Sequence, residues 1–524
     1  MNKFFNVRKV LAGFFVCFVL QNVFAYDYSV PNPELQRVLT IVDTEHEYDL
    51  NPHTASYASE ANVLNGLYEG LFSYDPVTLE PINAICQTYT VSRNKKRWTF
   101  TLRKDINFSD GTPITAQTIR DSWITLLSTP NAPFASLLDC IEGALEFRNG
   151  QGKNENVKIT VRNENTLVVH LTEPTDYLPR ILCHHAFAAV SNKKNVYSGP
   201  FVLESYADGH LKMKKNAQYR DSSSVQLPGI EIVQSDDLAE NTYLFNIGKA
   251  DWISGNAEVA KILNTDSIHV AGEFGTSYLF FKMQNKPWNN AEFRLALLEA
   301  IPYDELRKDY AVQATTLVYP IAGYPTVAGI KDYDIDDAKE LMAEARKKAG
   351  LSADEVIPLI FAITSEEIMK TWADILRSAW EPLGVRLVVQ VVPFDRYLNS
   401  IPSWNADLFS YSWIGDFADP MAFLELFHGG STLNVAGFAD STFDSLLQNA
   451  SNAENSSERF KLLSQAEQYL LNAGMIIPIS HPISLNIINT ELVGGWQTNA
   501  LDLHPYKYLY IKPSTTSLPN IVLR

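Results

Sequence analysis

The chain has 524 residues and a formal net charge of −17 at pH 7. That length exceeds what a single hydrophobic core supports and implies two or three packing units. The acidic balance excludes a general nucleic-acid binder, which needs a positive footprint, and argues against affinity for anionic lipid heads.

Residues 1–25 read as a secretory signal peptide. Lys3, Arg8 and Lys9 precede an apolar run over 10–20, and Val23-Phe24-Ala25 supplies the cleavage positions; the run is too short to span a membrane. Cleavage after Ala25 leaves 499 residues, and because the leader holds three basic and no acidic residues, the formal charge becomes −20. Cys17 inside the apolar run raises a lipoprotein alternative, but Phe15-Val16 before it lacks the small residues that such processing prefers. No second long apolar run follows, so a soluble exported protein is expected, and the localisation is periplasmic. Export permits a disulfide. Cys86, Cys140 and Cys183 allow at most one bridge, fit no zinc spacing, and read mostly as buried structural thiols.

In chain order, residues 37–42 form a short apolar strand. Residues 58–71 read as a helix, with Ala61, Leu64, Leu67, Tyr68 and Leu71 at helical spacing. Over 97–113, Trp98, Phe100, Leu102, Ile106 and Phe108 keep one parity, which predicts a strand with one buried face, interrupted at Lys104 and ended by the Asp110-Gly111 turn. Thr115 then caps a helix through Trp123 and Leu127. Two hairpins follow: 157–161 with 167–171, then Phe201 and Leu203 with Leu211 and Met213 across Asp208-Gly209.

From Tyr278 the composition changes. Helices over 290–301, 336–350 and 368–383 alternate with strands over 360–363 and 385–392, an α/β pattern distinct from the first part. Trp372 and Trp380, eight apart on one helix, read as core. A helix over 457–472 and a strand-like 506–511 close the chain. There is no internal repeat and no low-complexity linker, so two lobes must pack closely or thread through each other.

The stretch of greatest chemical interest is 407–420. Phe409, Tyr411 and Trp413 alternate with Leu408, Ser410 and Ser412, the period of a strand that presents an aromatic face. The strand stops at Gly415, and Asp416 follows in a loop closed by Asp419 and Pro420. A carboxylate just beyond a strand end, beside an indole, suits a bound cation in the crevice where such sheets hold ligands. Taken alone, the same residues also read as turn carboxylates and a core tryptophan.

Other chemistries find little support. His184-His185 suggests a metal, but adjacent residues in a strand face opposite ways; no metal site and no cofactor are expected. Gly-x-Ser-x-Gly, His-Glu-x-x-His and a phosphate loop are all missing, and Ser191-Asn-Lys-Lys194 fits Ser-x-x-Lys without its partner motifs. The chain does not read as an enzyme.

Several motifs in order resemble the solute-binding proteins of peptide ABC importers, the oligopeptide and dipeptide binders of solute-binding protein family 5. The most specific is Trp98-x-Phe-x-Leu-Arg103 followed by Phe108-Ser-Asp-Gly-Thr-Pro113. Asn65-Gly-Leu-Tyr-Glu-Gly-Leu71, Phe293-Arg-Leu-Ala296, Tyr333-Asp-Ile-Asp-Asp-Ala-Lys339, and Thr364-Ser365 with Leu383-Gly-Val385 support it. The resemblance covers essentially the whole mature chain. It implies an α/β, two-lobed periplasmic-binding-protein-like fold (type II, cluster C) with an extra subdomain inserted in the first lobe. The expected division is 26–274 for lobe I, with the subdomain about 72–195, then 275–479 for lobe II, and 480–524 returning to lobe I.

The resemblance further implies a monomer that captures peptides between its lobes and delivers them to an inner-membrane ABC permease and its ATPase. Asp416, three residues after Trp413, would take the peptide ammonium. Phe394, Trp413 and Tyr411 would line the site, with Asp419 a weaker candidate. The chain departs from the family where a peptide carboxylate would be clamped: Ile363, Thr364, Ile368 and Ser410 stand at positions where relatives carry a positive group. That departure leaves room for longer or modified peptides, or for a nickel chelate, haem or sugar. An adhesin or chaperone role is a further alternative.

Overall fold

Three larger sheets order the chain in the computed structural model, which describes residues 37–55, 57–393, 396–397 and 401–513. The leader, Cys17 and Phe394 lie outside the described residues. A seven-stranded sheet runs, in spatial order, Ile268–Gly272, Ile483–Ile488, Trp252–Ser254, Leu39–Asp43, Gly229–Gln234, His210–Lys215 and Phe201–Ala207. A five-stranded sheet runs Val385–Val391, Ile357–Ile363, Leu408–Ile414, Gly275–Phe281 and Ile476–Ser480. The chain passes from the first sheet to the second between Gly272 and Gly275, and returns between Ser480 and Ile483. Two adjacent crossings therefore join two lobes, the layout of a hinge.

A third, four-stranded antiparallel sheet is built from Cys86–Val91, Arg97–Leu102, Thr166–His170 and Ile159–Asn163. Its parity decides its packing. Trp98, Phe100 and Leu102 are buried, whereas Arg97, Thr99 and Thr101 are not. The helix Ala116–Ser128 lies in the same core and contributes Trp123, whose indole Nε1–H donates to the Phe187 carbonyl at 2.9 Å. Its N-terminus is capped by Thr115, whose hydroxyl accepts from the Thr118 amide. Each such fully buried large side chain contributes about 1.5–3 kcal/mol.

The five-stranded sheet buries both faces, as a sheet flanked by helices must. Leu279, Phe281, Leu359, Phe361 and Leu408 pack with the helices Ala291–Glu299, Ile335–Ala349 and Glu367–Trp380. Trp372 and Trp380 are inside that core, as their spacing predicts. Tyr278, Phe280, Ala362 and Phe409, of opposite parity, belong to a core shared with the four-stranded layer and the helix Ser456–Asn472. No helix among the described residues is long and apolar enough to cross a membrane.

Three elements differ from their sequence patterns. The strand read over 97–113 spans only Arg97–Leu102, and beyond it an isolated bridge pairs Asn107 with Pro113. The first helix spans Ala58–Leu67 and stops short of residue 71. Beyond it the Glu69 amide donates to the Ser198 hydroxyl and the Glu69 carbonyl accepts from the Ala189 amide, so a neighbouring segment satisfies groups that a helix would have used. The terminal 506–511 is not one strand but a 3₁₀ turn at Tyr506–Tyr508 followed by Tyr510–Ile511. All three cysteines are free; burial pushes the Cys86 and Cys140 thiols up to about 12 and Cys183 higher, so they are inert thiols at neutral pH.

Glu69 ties these segments together. Its buried carboxylate accepts from Arg220 at 2.6 and 2.9 Å and from the Tyr219 hydroxyl, with Lys507 at 3.7 Å. Burial raises its pKa, but Lys507 and Arg220 outweigh that and hold it below the usual value. Stability from this group is therefore present above the unfolded pKa and lost as pH falls through the folded one. Glu69→Gln should destabilise the protein by about 3–5 kcal/mol, since it strands a buried arginine; urea unfolding at pH 7 measures this, and the gap to wild type should narrow below pH 4.

Candidate ligand-binding site

The strand Leu408–Ile414 pairs along its full length with Gly275–Phe281, but with Ile357–Ile363 only at Leu408 and Phe409. From Ser410 onward, one edge has no strand beside it among the described residues. Asp407 pins the register, accepting from the Ile360 amide and the Asn285 side chain, each at 2.7 Å. The Tyr397 hydroxyl takes the Ser410 amide at 2.9 Å.

Gly415 ends the strand for a steric reason. A Cβ there would lie 2.6 Å from the Phe274 ring, and the Gly415 amide donates to the Phe274 carbonyl at 2.7 Å. The chain then turns and places Asp416 in a cavity of about 300 Å³. Tyr57, Phe134, His184, Tyr411 and Trp413 line it with Asp416, so both lobes contribute. The Tyr74 hydroxyl reaches across to donate to the Asp416 carbonyl at 3.0 Å.

Sequence reasoning brought Asp416, Trp413 and Tyr411 to one place, and the structure puts all three on this cavity. Trp413 and Tyr411 stack with centroids 6.0 Å apart, and the indole Nε1–H donates to the Ala422 carbonyl at 2.7 Å. Trp413 is thus both packed and a wall. Asp419 behaves differently. It sits outside that lining, buried, with Arg459 donating to its two oxygens at 2.7 and 2.8 Å, and it caps Met421. Its charge is already matched.

His184 and His185 are not on a strand. His184 precedes a 3₁₀ turn at His185–Phe187, which brings the two rings to a centroid distance of 3.9 Å. The expectation of opposite-facing rings fails because that rule needs an extended backbone. No group of three or more metal-ligating side chains occurs among the described residues. His184 Nε2 lies 3.6 Å from Asp416 Oδ1, too far for a hydrogen bond. Burial pushes His184 down to about 3, so it is neutral and offers Asp416 no counter-charge. Asp416 itself is driven up to about 8 by burial.

The wall residues Tyr57, Phe134 and His184 were not found from sequence as ligand contacts. No local pattern marks them, because they reach the cavity from segments more than 200 residues away in the chain from Asp416.

Comparison with known proteins places this geometry. The pattern describing the bacterial extracellular solute-binding proteins, family 5 (middle region), matches residues 80–434. The chain belongs to that family. It is 26% identical over 476 residues to the dipeptide-binding protein DppE of Bacillus subtilis, covering 86% of each chain. In structure it is similar to the Haemophilus influenzae protein OppA in complex with RPPGFSPFR, with a TM-score of 0.80, 20% identity, and 91% and 99% of the chains covered. It is also similar to the Escherichia coli murein tripeptide binding protein MppA, with a TM-score of 0.79, 23% identity, and 91% and 98% covered. Against the unliganded open form of MppA the TM-score is 0.64.

A buried carboxylate without a cation costs stability, and the sign follows from its raised pKa. The folded state keeps a proton that the unfolded state has lost, so stability is full below about pH 4 and declines as pH rises toward 8. Asp416→Asn should flatten that decline and raise stability at pH 8 by about 0.5–2 kcal/mol, whereas Asp419→Asn, which strands Arg459, should lower it by about 3–5 kcal/mol. Denaturant midpoints of the ligand-free proteins at pH 5 and pH 8 check both.

Proposed function

We propose that this solute-binding protein captures peptides between its lobes in the periplasm, without turning them over, and delivers them to an inner-membrane ABC permease and its ATPase. The observation that carries the reading is Asp416: a carboxylate inside a two-lobed cavity, without a cation partner among the described residues, next to an unpaired strand edge. A free ammonium would supply the missing charge, and the edge from Ser410 to Ile414 would pair with the backbone that follows it. Backbone pairing is blind to side chains, so a carrier built this way takes its affinity from what all peptides share. That two similar proteins are named for dipeptides and a murein tripeptide agrees with this reading.

The far end of the peptide is held differently, if at all. Among the described residues no lysine or arginine lines the Asp416 cavity. Ser410 is buried against Tyr397, and Thr364 donates its hydroxyl to Glu366. With no carboxylate clamp at these positions, the site sets no fixed peptide length. Closure follows from differential affinity: a guest that touches both lobes favours the closed state by what it gains there.

Asp416 accepts an ammonium only when ionised. Below about pH 8 the empty site holds a proton that the guest displaces, so affinity should rise from pH 5 to pH 8, at most tenfold per unit. Calorimetry at pH 6.5 in buffers of different ionisation enthalpy should show release of about one proton, and Asp416→Asn should abolish that release and weaken binding by at least about tenfold. Wild-type binding with no proton release, or an undiminished variant, overturns the assignment.

A further inference from the structure

The cavity that holds Asp416 continues into a second one of about 310 Å³; the two share Ala58, Ser59, Ile414 and Leu501 as walls. The second cavity lies at the hinge, since Glu273 stands on one crossing and its amide donates to the carbonyl of Pro482 on the other at 2.9 Å. Among the described residues its charged lining is entirely acidic: Asp43, Glu273 and Asp502, with no lysine, arginine or histidine.

These three carboxylates are not equivalent. Asp43 accepts from the Thr44 amide at 2.8 Å and from the Tyr48 hydroxyl. One oxygen of Asp502 is engaged by the Asn486 side chain at 2.9 Å and by His504 Nε2 at 3.0 Å. Glu273 is 9% exposed, faces the cavity, and has no hydrogen bond to its carboxylate among the described residues. Burial and the neighbouring Asp502 push it up to about 7. The basic groups against the cluster are two imidazoles, His504 on Asp502 and His46 beside Asp43. A nine-tenths-buried acid with no partner, facing an open volume next to two more acids, lacks a cation as Asp416 does.

A metal ion is a poor match, because the three acids do not form a group able to hold one. A cationic side chain suits better, since its charge is spread over several donors on a flexible stem and can answer carboxylates that do not converge on a point.

We propose that this second chamber seats a lysine or arginine side chain of the guest, so that the cleft selects basic peptides. The proposal rests on the peptide reading and names the class of peptide. Asp416 takes the terminal ammonium, the guest passes Ile414, and Glu273 with Asp502 receives the second positive charge across the hinge.

The test is calorimetry at pH 8 with tetra- and pentapeptides that differ only in lysine against norleucine, placed at each position in turn. Wild type should favour lysine by at least about tenfold at one position. That ratio should fall below about threefold in Glu273→Gln and in Asp502→Asn, and either variant alone decides if the other fails to fold. Peptides that bind equally well with lysine or norleucine everywhere overturn the proposal and leave the peptide reading standing. So does a preference that persists in the folded variants. Binding of no peptide in either series overturns the peptide reading, and this proposal with it.

Discussion

The cleft is organised around one carboxyl group kept out of water without a cation partner among the described residues. A carboxylate moved into a low-dielectric site normally finds a cation or takes up a proton. Asp416 does the second when the cleft is empty. Everything around it preserves that situation. Gly415 turns the chain where any side chain would strike Phe274, His184 stays neutral because it is buried, and Tyr74 binds the Asp416 backbone and not its side chain. A site arranged in this way stores an unfavourable term, which under the proposed function a guest ammonium would relieve. Binding energy would then come from desolvation already borne by the fold.

The contacts between the lobes show how the enclosed state is held. Arg148, from the segment after the four-stranded sheet's first hairpin, pairs with Asp139 and donates to the Gly430 carbonyl at 2.8 Å. The Thr432 hydroxyl donates to the Pro133 carbonyl at 2.6 Å, and Tyr177 lies under the Arg459 guanidinium at 4.5 Å while stacking on Phe417. These polar contacts lie beside an apolar cluster that joins Phe134 and Leu138 to Tyr278, Phe280 and Phe427, so the seam is held by both kinds of contact.

Much of this was legible in the sequence, and the limits have physical causes. Strand parity over 97–102 and 408–414, the helix cap at Thr115 and the glycine stop at Gly350 are local signals, and each element formed where its pattern lies. Asp416 was legible because it follows a patterned strand at a fixed distance from Trp413. Tyr57, Phe134 and His184 were not, because each reaches the cavity through tertiary packing. The His184-His185 geometry was missed because nothing in those two residues announces a 3₁₀ turn. The end of the first helix was set by Ser198 and Ala189, more than 100 residues away in the chain.

The distribution of carboxylates separates structure from function more sharply than their pKa values do. Glu467 is buried and pushed up to about 7, as Glu273 is, yet its oxygens accept from the amides of Leu317 and Val318 and from the Tyr324 hydroxyl. It is a satisfied acid that fastens a loop to a helix. Asp419 and Glu69 are satisfied too, by arginines. Asp416 and Glu273 have neither kind of partner among the described residues, and both face open volume between the lobes. A perturbed acid marks a binding site here only when its lone pairs point at space a guest can enter. By that criterion the two buried acids left without a partner among the described residues, Asp416 and Glu273, both face the same cleft.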